Sequence, residues 1–267
     1  MDKMRIAVTG AEGRMGRNLI SVMTKENINL SGVIVKPGSS VIDHDAGTLI
    51  GNNKIGIKVT DNISNIIDRF DCLVDFTNPK VTLTNLKICH KYRKSIIIGT
   101  TGFDVEEYQL INKLSNEIPI VLSANFSIGM NIILKLLEKT AKIIGNNSDI
   151  EIIEAHHNSK IDAPSGTALA MGRIIADVMK WQLDEHSIYR KKGIIGKRKK
   201  RSIGFSAIRA GDIIGEHTAI FASIGERIEI THRISNRMNF TLGVIKAIKW
   251  LQKKKSGIFN MWDVLGL

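Results

Sequence analysis

The chain has 267 residues, 43% hydrophobic and 24% charged, with a formal net charge of +12 at pH 7. That length exceeds the ~100–200 residues of a typical domain and predicts two, each able to bury a core without disulfide staples. The N-terminus MDKMRIAVTG has no charged-then-apolar signal pattern and no run of about eighteen apolar residues follows, which excludes a secreted or membrane-spanning reading and predicts a cytoplasmic protein.

Cys72 and Cys89 show no metal or redox spacing and fall in apolar patterns, so buried free thiols are expected. The positive charge concentrates in YRKKGIIGKRKKRS (189–202) and LQKKKSG (251–257). Such a balance can serve nucleic acid, an anionic membrane or acidic small molecules. The basic run lacks aromatic interleaving and stands apart from any recognition-helix pattern, so solvated loops are the expectation and no nucleic-acid partner is assigned.

In chain order, RIAVTG (5–10) is strand-like and RNLISVMTKE (17–26) helical. NLSGVIV (29–35) and DCLVDFT (71–77) read as strands, VTLTNLKICHKY (81–92) as a helix, and SIIIGTTG (95–102) and IPIVLSANF (118–126) as strands again. Alternation with continuous apolar strands predicts a parallel sheet covered on both faces. The pattern then changes. A long helix, MNIILKLLEKTAKII (130–144), precedes the strand DIEIIEAHH (149–157) and a helix from about Thr167 to Lys180. SIGFSAIRAG (202–211), GEHTAIFAS (215–223) and ERIEITHRI (226–234) are strands without intervening helices, which predicts an α+β unit with a mixed or antiparallel sheet. The last run, TLGVIKAIKWLQKK (241–254), is a helix expected to return to the first unit.

GAEGRMG (10–16) follows a strand and opens a helix, the context of a dinucleotide-binding turn. Gly10 permits a tight turn, while Gly13 and Gly16 let backbone approach a pyrophosphate and the helix pack on the sheet. Where an acid would meet the ribose at the end of the second strand stand Val35 and Lys36, a lean towards the 2′-phosphate of NADPH over NADH. GTTG (99–102) and SANFSIGMN (123–131) close two further strands and complete a nucleotide crevice.

EAHHNSKIDAPSGTAL (154–169) holds the remaining chemistry. Pro164 keeps Ala163 extended, and Ser165 or Thr167 can cap the following helix. No acid occupies that helix's first turn, so the amides of Gly166 and Thr167 stay open to an anion, with Lys160 adding positive charge. His156 and His157 point to opposite faces of an extended strand, and an imidazole near its reference pKa of ~6.5 suits proton transfer. Zinc competes for the paired histidines, but their spacing fits no common zinc site and a lysine disfavours a neighbouring cation; no metal is assigned. Asp162 reads as a turn-maker or as the partner orienting Lys160. A dehydrogenase with a cysteine nucleophile has no support at Cys72 or Cys89.

With GAEGRMGR (10–17), VDFTNP (74–79), IIGTTGF (97–103), SANFSIGMN, EAHHNSKIDAPSGTALAMG (154–172), IRAGDIIGEHTAIF (208–221) and GERIEITHR (225–233), the chain resembles the 4-hydroxy-tetrahydrodipicolinate (dihydrodipicolinate) reductase family. The resemblance implies an α/β fold: a Rossmann-type dinucleotide-binding domain, residues 1–127 and 237–267, and an α+β substrate-binding and tetramerisation domain with a mixed sheet, residues 128–236. It implies NAD(P)H-dependent reduction of 4-hydroxy-tetrahydrodipicolinate in diaminopimelate and lysine biosynthesis by a homotetramer. It assigns proton donation to His156 and Lys160. Substrate contacts fall to His157, Lys160, Ser165, Gly166 and Thr167. Cofactor contacts fall to Gly10, Ala11, Glu12, Gly13, Arg14, Met15, Gly99, Thr100, Thr101, Ser123, Ala124, Asn125 and Phe126, beside the Lys36 read above from its position. Two departures stand out: Val35-Lys36 replaces the family's acidic-basic pair at the ribose, and Asn158-Ser159 stands where further basic residues are common.

Overall fold

The computed structural model describes residues 4–189, 192–194, 196–236 and 238–267, and they divide into two compact units. One comprises residues 1–128 and 238–267, the other 129–237. Of the 189–202 stretch, Arg190, Lys191 and Ile195 lie outside the described residues, as do Met1–Lys3 at the N-terminus and Arg237, where the third expected segment begins.

In the first unit, β1 (Ile6–Thr9), α1 (Arg14–Lys25), β2 (Leu30–Ile34), β3 (Val59–Thr60), β4 (Cys72–Asp75), α2 (Pro79–Lys91), β5 (Ser95–Ile98), α3 (Val105–Ser115) and β6 (Pro119–Leu122) follow in order. The second unit holds α4 (Ile128–Ile144, which starts at the boundary), β7 (Asp149–His156), α5 (Gly166–Met179), α6 (Leu183–His186), β8 (Ser187–Tyr189), β9 (Ile203–Arg209), β10 (Gly215–Ser223) and β11 (Glu226–Ile234). The chain then returns to the first unit with α7 (Met238–Leu251), β12 (Gly257–Phe259) and α8 (Met261–Leu265).

The first sheet has seven parallel strands in the order β12-β6-β5-β4-β1-β2-β3. Strand order reverses between β1 and β4, the switch point beside which a doubly wound sheet opens its ligand crevice. Period-two alternation explains the two-sided core. Ile6, Val8, Val74, Ile97 and Val121 face Leu19 and Met23 of α1 and Val244, Ala247 and Leu251 of α7. Ala7, Leu73, Ile96, Ile98 and Ile120 face Leu86 and Cys89 of α2 and Ile111 of α3. Both cysteines are free and buried, and burial pushes the Cys72 thiol up to about 12.

The second sheet is mixed, in the order β11-β10-β7-β9-β8. β10 runs antiparallel to β7 and β11, whereas β7 and β8 run parallel to β9. Ile150 and Ile152 of β7 pack with Met171 and Ile175 of α5 and Leu137 of α4. In the described part of the basic loop, Lys192, Lys197, Lys199, Lys200 and Arg201 are exposed, as a solvated loop requires, whereas Arg198 departs from that expectation. Arg198 pairs with Asp149 at 3.0 Å and with Glu151, and donates to the Ile150 and Ser202 carbonyls at 2.8 and 2.9 Å. A guanidinium carries enough donors to satisfy carboxylates and carbonyls together, so this one cation fastens its loop to the sheet. In the other basic run, Lys254 lies 4.3 Å from the Trp250 ring centroid.

Candidate active site

On the first unit, the turn after β1 is built for close approach. Gly10 has φ +72°, and a Cβ there would sit 3.1 Å from the Thr77 methyl. At Gly16 a Cβ would lie 2.4 Å from the Gly10 carbonyl oxygen, so α1 can start this close to the turn only without a side chain there. Gly13 caps α1 without a side-chain acceptor, and no acid enters the helix's first turn. The first amides of α1 therefore lack intrahelical partners and fit a pyrophosphate. Glu12, Gly13 and Arg14 border this turn with at least part of their surface accessible, Ala11 is buried, and Met15 packs against the core.

The other two loops meet the turn after β4. Gly99 presses its backbone against Phe76, where a Cβ would fall 2.0 Å from the ring, and Phe76 packs on Phe126 at 5.4 Å between centroids. Thr100 is buried and shares a 2.8 Å hydrogen bond with Thr82, whereas Thr101 and Ala124 are exposed. The Ser123 hydroxyl donates to the Asn125 carbonyl at 3.0 Å. Asp75, fully buried, accepts from the Thr77 amide (3.0 Å) and hydroxyl (2.6 Å), from Thr82 (3.1 Å) and from Asn85 (2.8 Å). Asp75, Phe76 and Thr82 thus hold these loops together, a task that no spacing rule assigns them. Lys36 lines a cavity of about 450 Å³ with Gly10, Val35, Asp61, Thr77 and Lys80.

On the second unit, β7 sets the geometry. Glu154 and His156 share the β7 face that carries Ile150 and Ile152, because residues two apart in a strand point the same way. Register places Arg209 of β9 beside His156 and His217 of β10 beside Glu154. The apolar core face therefore ends in a buried polar cluster. Glu154, 1% exposed, accepts from Arg209 at both carboxylate oxygens (2.8 and 2.6 Å), from His156 Nδ1 at 2.5 Å and from the Ser165 amide at 3.1 Å. Burial works to raise its carboxyl, but the Arg209 and His156 bonds outweigh it and hold it below the usual carboxylate range. The Glu154 bond raises Arg209 in turn. Burial lowers the His217 imidazole to about 4, so it is neutral near pH 7.

His157 leaves the strand and the chain turns, with the Lys160 amide donating to the His157 carbonyl at 3.2 Å. Lys160 Nζ donates to both Asp162 oxygens at 2.7 and 2.9 Å, which makes Asp162 the orienting partner rather than only a turn residue. That bond holds the Asp162 carboxyl below its usual range. Ser165 caps α5: its hydroxyl accepts from the Ala168 amide at 3.2 Å and shares a 3.0 Å hydrogen bond with His217 Nε2. Ser165 is buried and its side chain is committed, whereas Gly166 is exposed and Thr167 partly so. No acid enters the first turn of α5. One short segment thus joins an imidazole, a lysine and an open helix N-terminus, a set that can hold carboxylates and pass a proton. Glu154, Arg209 and His217 were missed by sequence reasoning, since only strand register brings them together. Among the described residues, no group of three or more His, Cys, Asp or Glu is placed to hold a metal ion.

Comparison with known proteins gives the same assignment in both units. Residues 4–126 match the family model described as dihydrodipicolinate reductase, N-terminus, and residues 129–265 match its C-terminus counterpart. Among solved structures, the chain is similar to a dipicolinate-bound dihydrodipicolinate reductase from Paenisporosarcina sp. TG-14, with a TM-score of 0.78 and 25% identity over 98% of this chain and 99% of that one. An amine dehydrogenase from Mycobacterium smegmatis (TM-score 0.61, 10% identity, 97% and 95% coverage) is similar in fold alone. So is a probable dehydrogenase from Thermotoga maritima (TM-score 0.63, 10% identity, 98% and 92% coverage).

Proposed function

The chain belongs to the dihydrodipicolinate reductase family of NAD(P)H-dependent oxidoreductases, and we propose that segment 156–167 holds its substrate and handles the proton while the loops of the first unit hold the dinucleotide. The reaction is the reduction of 4-hydroxy-tetrahydrodipicolinate to tetrahydrodipicolinate in diaminopimelate and lysine biosynthesis. The observation carrying the site is the co-location, within one turn of chain, of an imidazole, an ammonium and unblocked helix amides.

A cyclic dicarboxylate suits that set. The Gly166 and Thr167 amides donate to one carboxylate at the α5 N-terminus, where the helix dipole favours negative charge. Lys160 and His157 serve the other, Lys160 exchanging part of its bond to Asp162 for the substrate. His156 donates the proton, with Lys160 as the second donor. The first amides of α1, just after the Gly10 turn, take the pyrophosphate, and Gly99–Thr101 with Ser123–Phe126 form the nicotinamide end. When bound, the reduced nicotinamide supplies the hydride.

NADPH is the preferred cofactor in this reading. The cavity at the end of β2 has Lys36 and Lys80 in its lining against the single carboxylate of Asp61, which favours a 2′-phosphate. We also infer a homotetramer built on the second-unit sheet, whose terminal strand β11 is exposed along much of its length and shows Ile228 at 44% accessibility. A cytoplasmic location fits two free, buried thiols.

The test is oxidation of NADPH and NADH, in parallel, by purified protein supplied with substrate from pyruvate and aspartate semialdehyde through the preceding synthase. Turnover with NADPH at a kcat/KM about 10-fold or more above NADH is expected, as two added charge contacts readily supply about 1.4 kcal/mol. Equal use of both would sink the Lys36 reading. Light scattering at the mass of one chain would sink the tetramer.

A further inference from the structure

We propose that Glu154, clamped by Arg209, is a positioning residue that fixes the ring orientation and tautomer of His156. The proposal rests on the reading of His156 as the proton donor. Its basis is the saturation of one buried carboxylate. Glu154 Oε2 accepts from Arg209 and from His156 Nδ1, and Oε1 accepts from Arg209 and from the Ser165 amide. An ionised carboxylate only accepts, so the His156 proton that faces it resides on Nδ1.

Nε2 is then the atom left for the substrate: with a proton there as well the ring is imidazolium, and giving that proton to the substrate returns it to the Nδ1–H form. On that side stands Gly215, where a Cβ would come within 3.2 Å of His156 Nε2, so the glycine keeps the nitrogen clear. Arg209 fixes the carboxylate in two ways. Its fork holds both oxygens in one plane, and it donates to the Asp162 carbonyl at 2.7 Å, joining Glu154 to the turn that carries Lys160. The same carboxylate receives the first amide of the α5 cap, so imidazole and anion-binding helix end share one anchor. His217 packs edge-on against the ring at 5.0 Å between centroids, which closes the remaining rotation.

The experiment pairs kinetics with nitrogen NMR of ¹⁵N-histidine-labelled protein at a pH where the ring is neutral. In the wild type, the His156 spectrum is expected to show a protonated Nδ1 and a bare Nε2. Glu154→Gln is expected to populate the other tautomer and to lower kcat by about 10², part of what a general acid contributes, with the KM for NADPH within about 2-fold of wild type. Arg209→Lys keeps the charge but loses the fork, and is expected to show the same pattern, about 10-fold in kcat. A wild-type spectrum with the proton on Nε2 would overturn the proposal without need of any variant. So would a folded Glu154→Gln or Arg209→Lys enzyme within about 3-fold of the wild-type kcat. His156→Gln separates the premise from the clamp. If it runs at wild-type speed the premise fails and takes the proposal with it; if it is slow while Glu154→Gln is fast, only the clamp is wrong.

Discussion

Several single residues act here by what they lack. Gly16 has no room for a methyl group, because its ideal Cβ falls 2.4 Å from the Gly10 carbonyl oxygen. Gly16→Ala must therefore move α1 off its turn, and we expect the NADPH Kd to rise by at least about 10-fold, measured by fluorescence titration of a variant whose circular dichroism is unchanged. Lys36, in the proposed reading, acts by charge. Lys36→Ala is expected to raise the KM for NADPH about 5- to 10-fold and leave that for NADH within about 2-fold, as about 1 kcal/mol of partly screened phosphate contact is lost. Residue identities were readable where chemistry is local. Lys160, Asp162 and the α5 cap lie within a few positions of one another, so spacing alone suggested their pairing. Glu154 with Arg209, 55 positions apart, was not readable, because their meeting depends on β7 pairing β9 in one register.

Among the elements, α5 is a structural joint as well as the anion site proposed above. Its cap hydroxyl serves the Ala168 amide and His217 together. Ser165→Ala should cost about 1 kcal/mol for the cap and more for the stranded, buried His217, which urea denaturation would register as a lowered midpoint at unchanged slope. The longer elements follow their periodicity: β1, β4 and β5 read as apolar runs bounded by turn residues, and α4 and α7 carry helical stripes. α3 has a narrow apolar face, which hides it from periodicity although Asp104 and Glu107 form a capping box at its start. β12 has three residues and joins the sheet only by pairing with β6, so no local pattern announces it. β3, with two residues beside β2, is silent for the same reason.

For the molecule as a whole, stability is tied to pH through buried histidine. Burial lowers His217 from 6.5 to about 4, so the folded state binds fewer protons than the unfolded state between those values. Stability is therefore complete above the unfolded pKa and is lost as pH falls from 6.5 through about 4, by about 3 kcal/mol in total. His232 is lowered by burial too and adds in the same direction. Glu154, held below the carboxylate range, contributes stability that is lost further towards acid. Urea unfolding across this window should show the slope, and His217→Gln should flatten it. In the proposed function, one segment of the second unit performs the proton chemistry of a dinucleotide-dependent reduction. Its most direct test is the kcat of His156→Gln and Lys160→Ala beside the Kd of each variant for pyridine-2,6-dicarboxylate. We expect kcat losses of about 10² or more in both, with dicarboxylate affinity nearly kept in His156→Gln and weakened in Lys160→Ala. Both variants turning over within a few-fold of the wild type would contradict it.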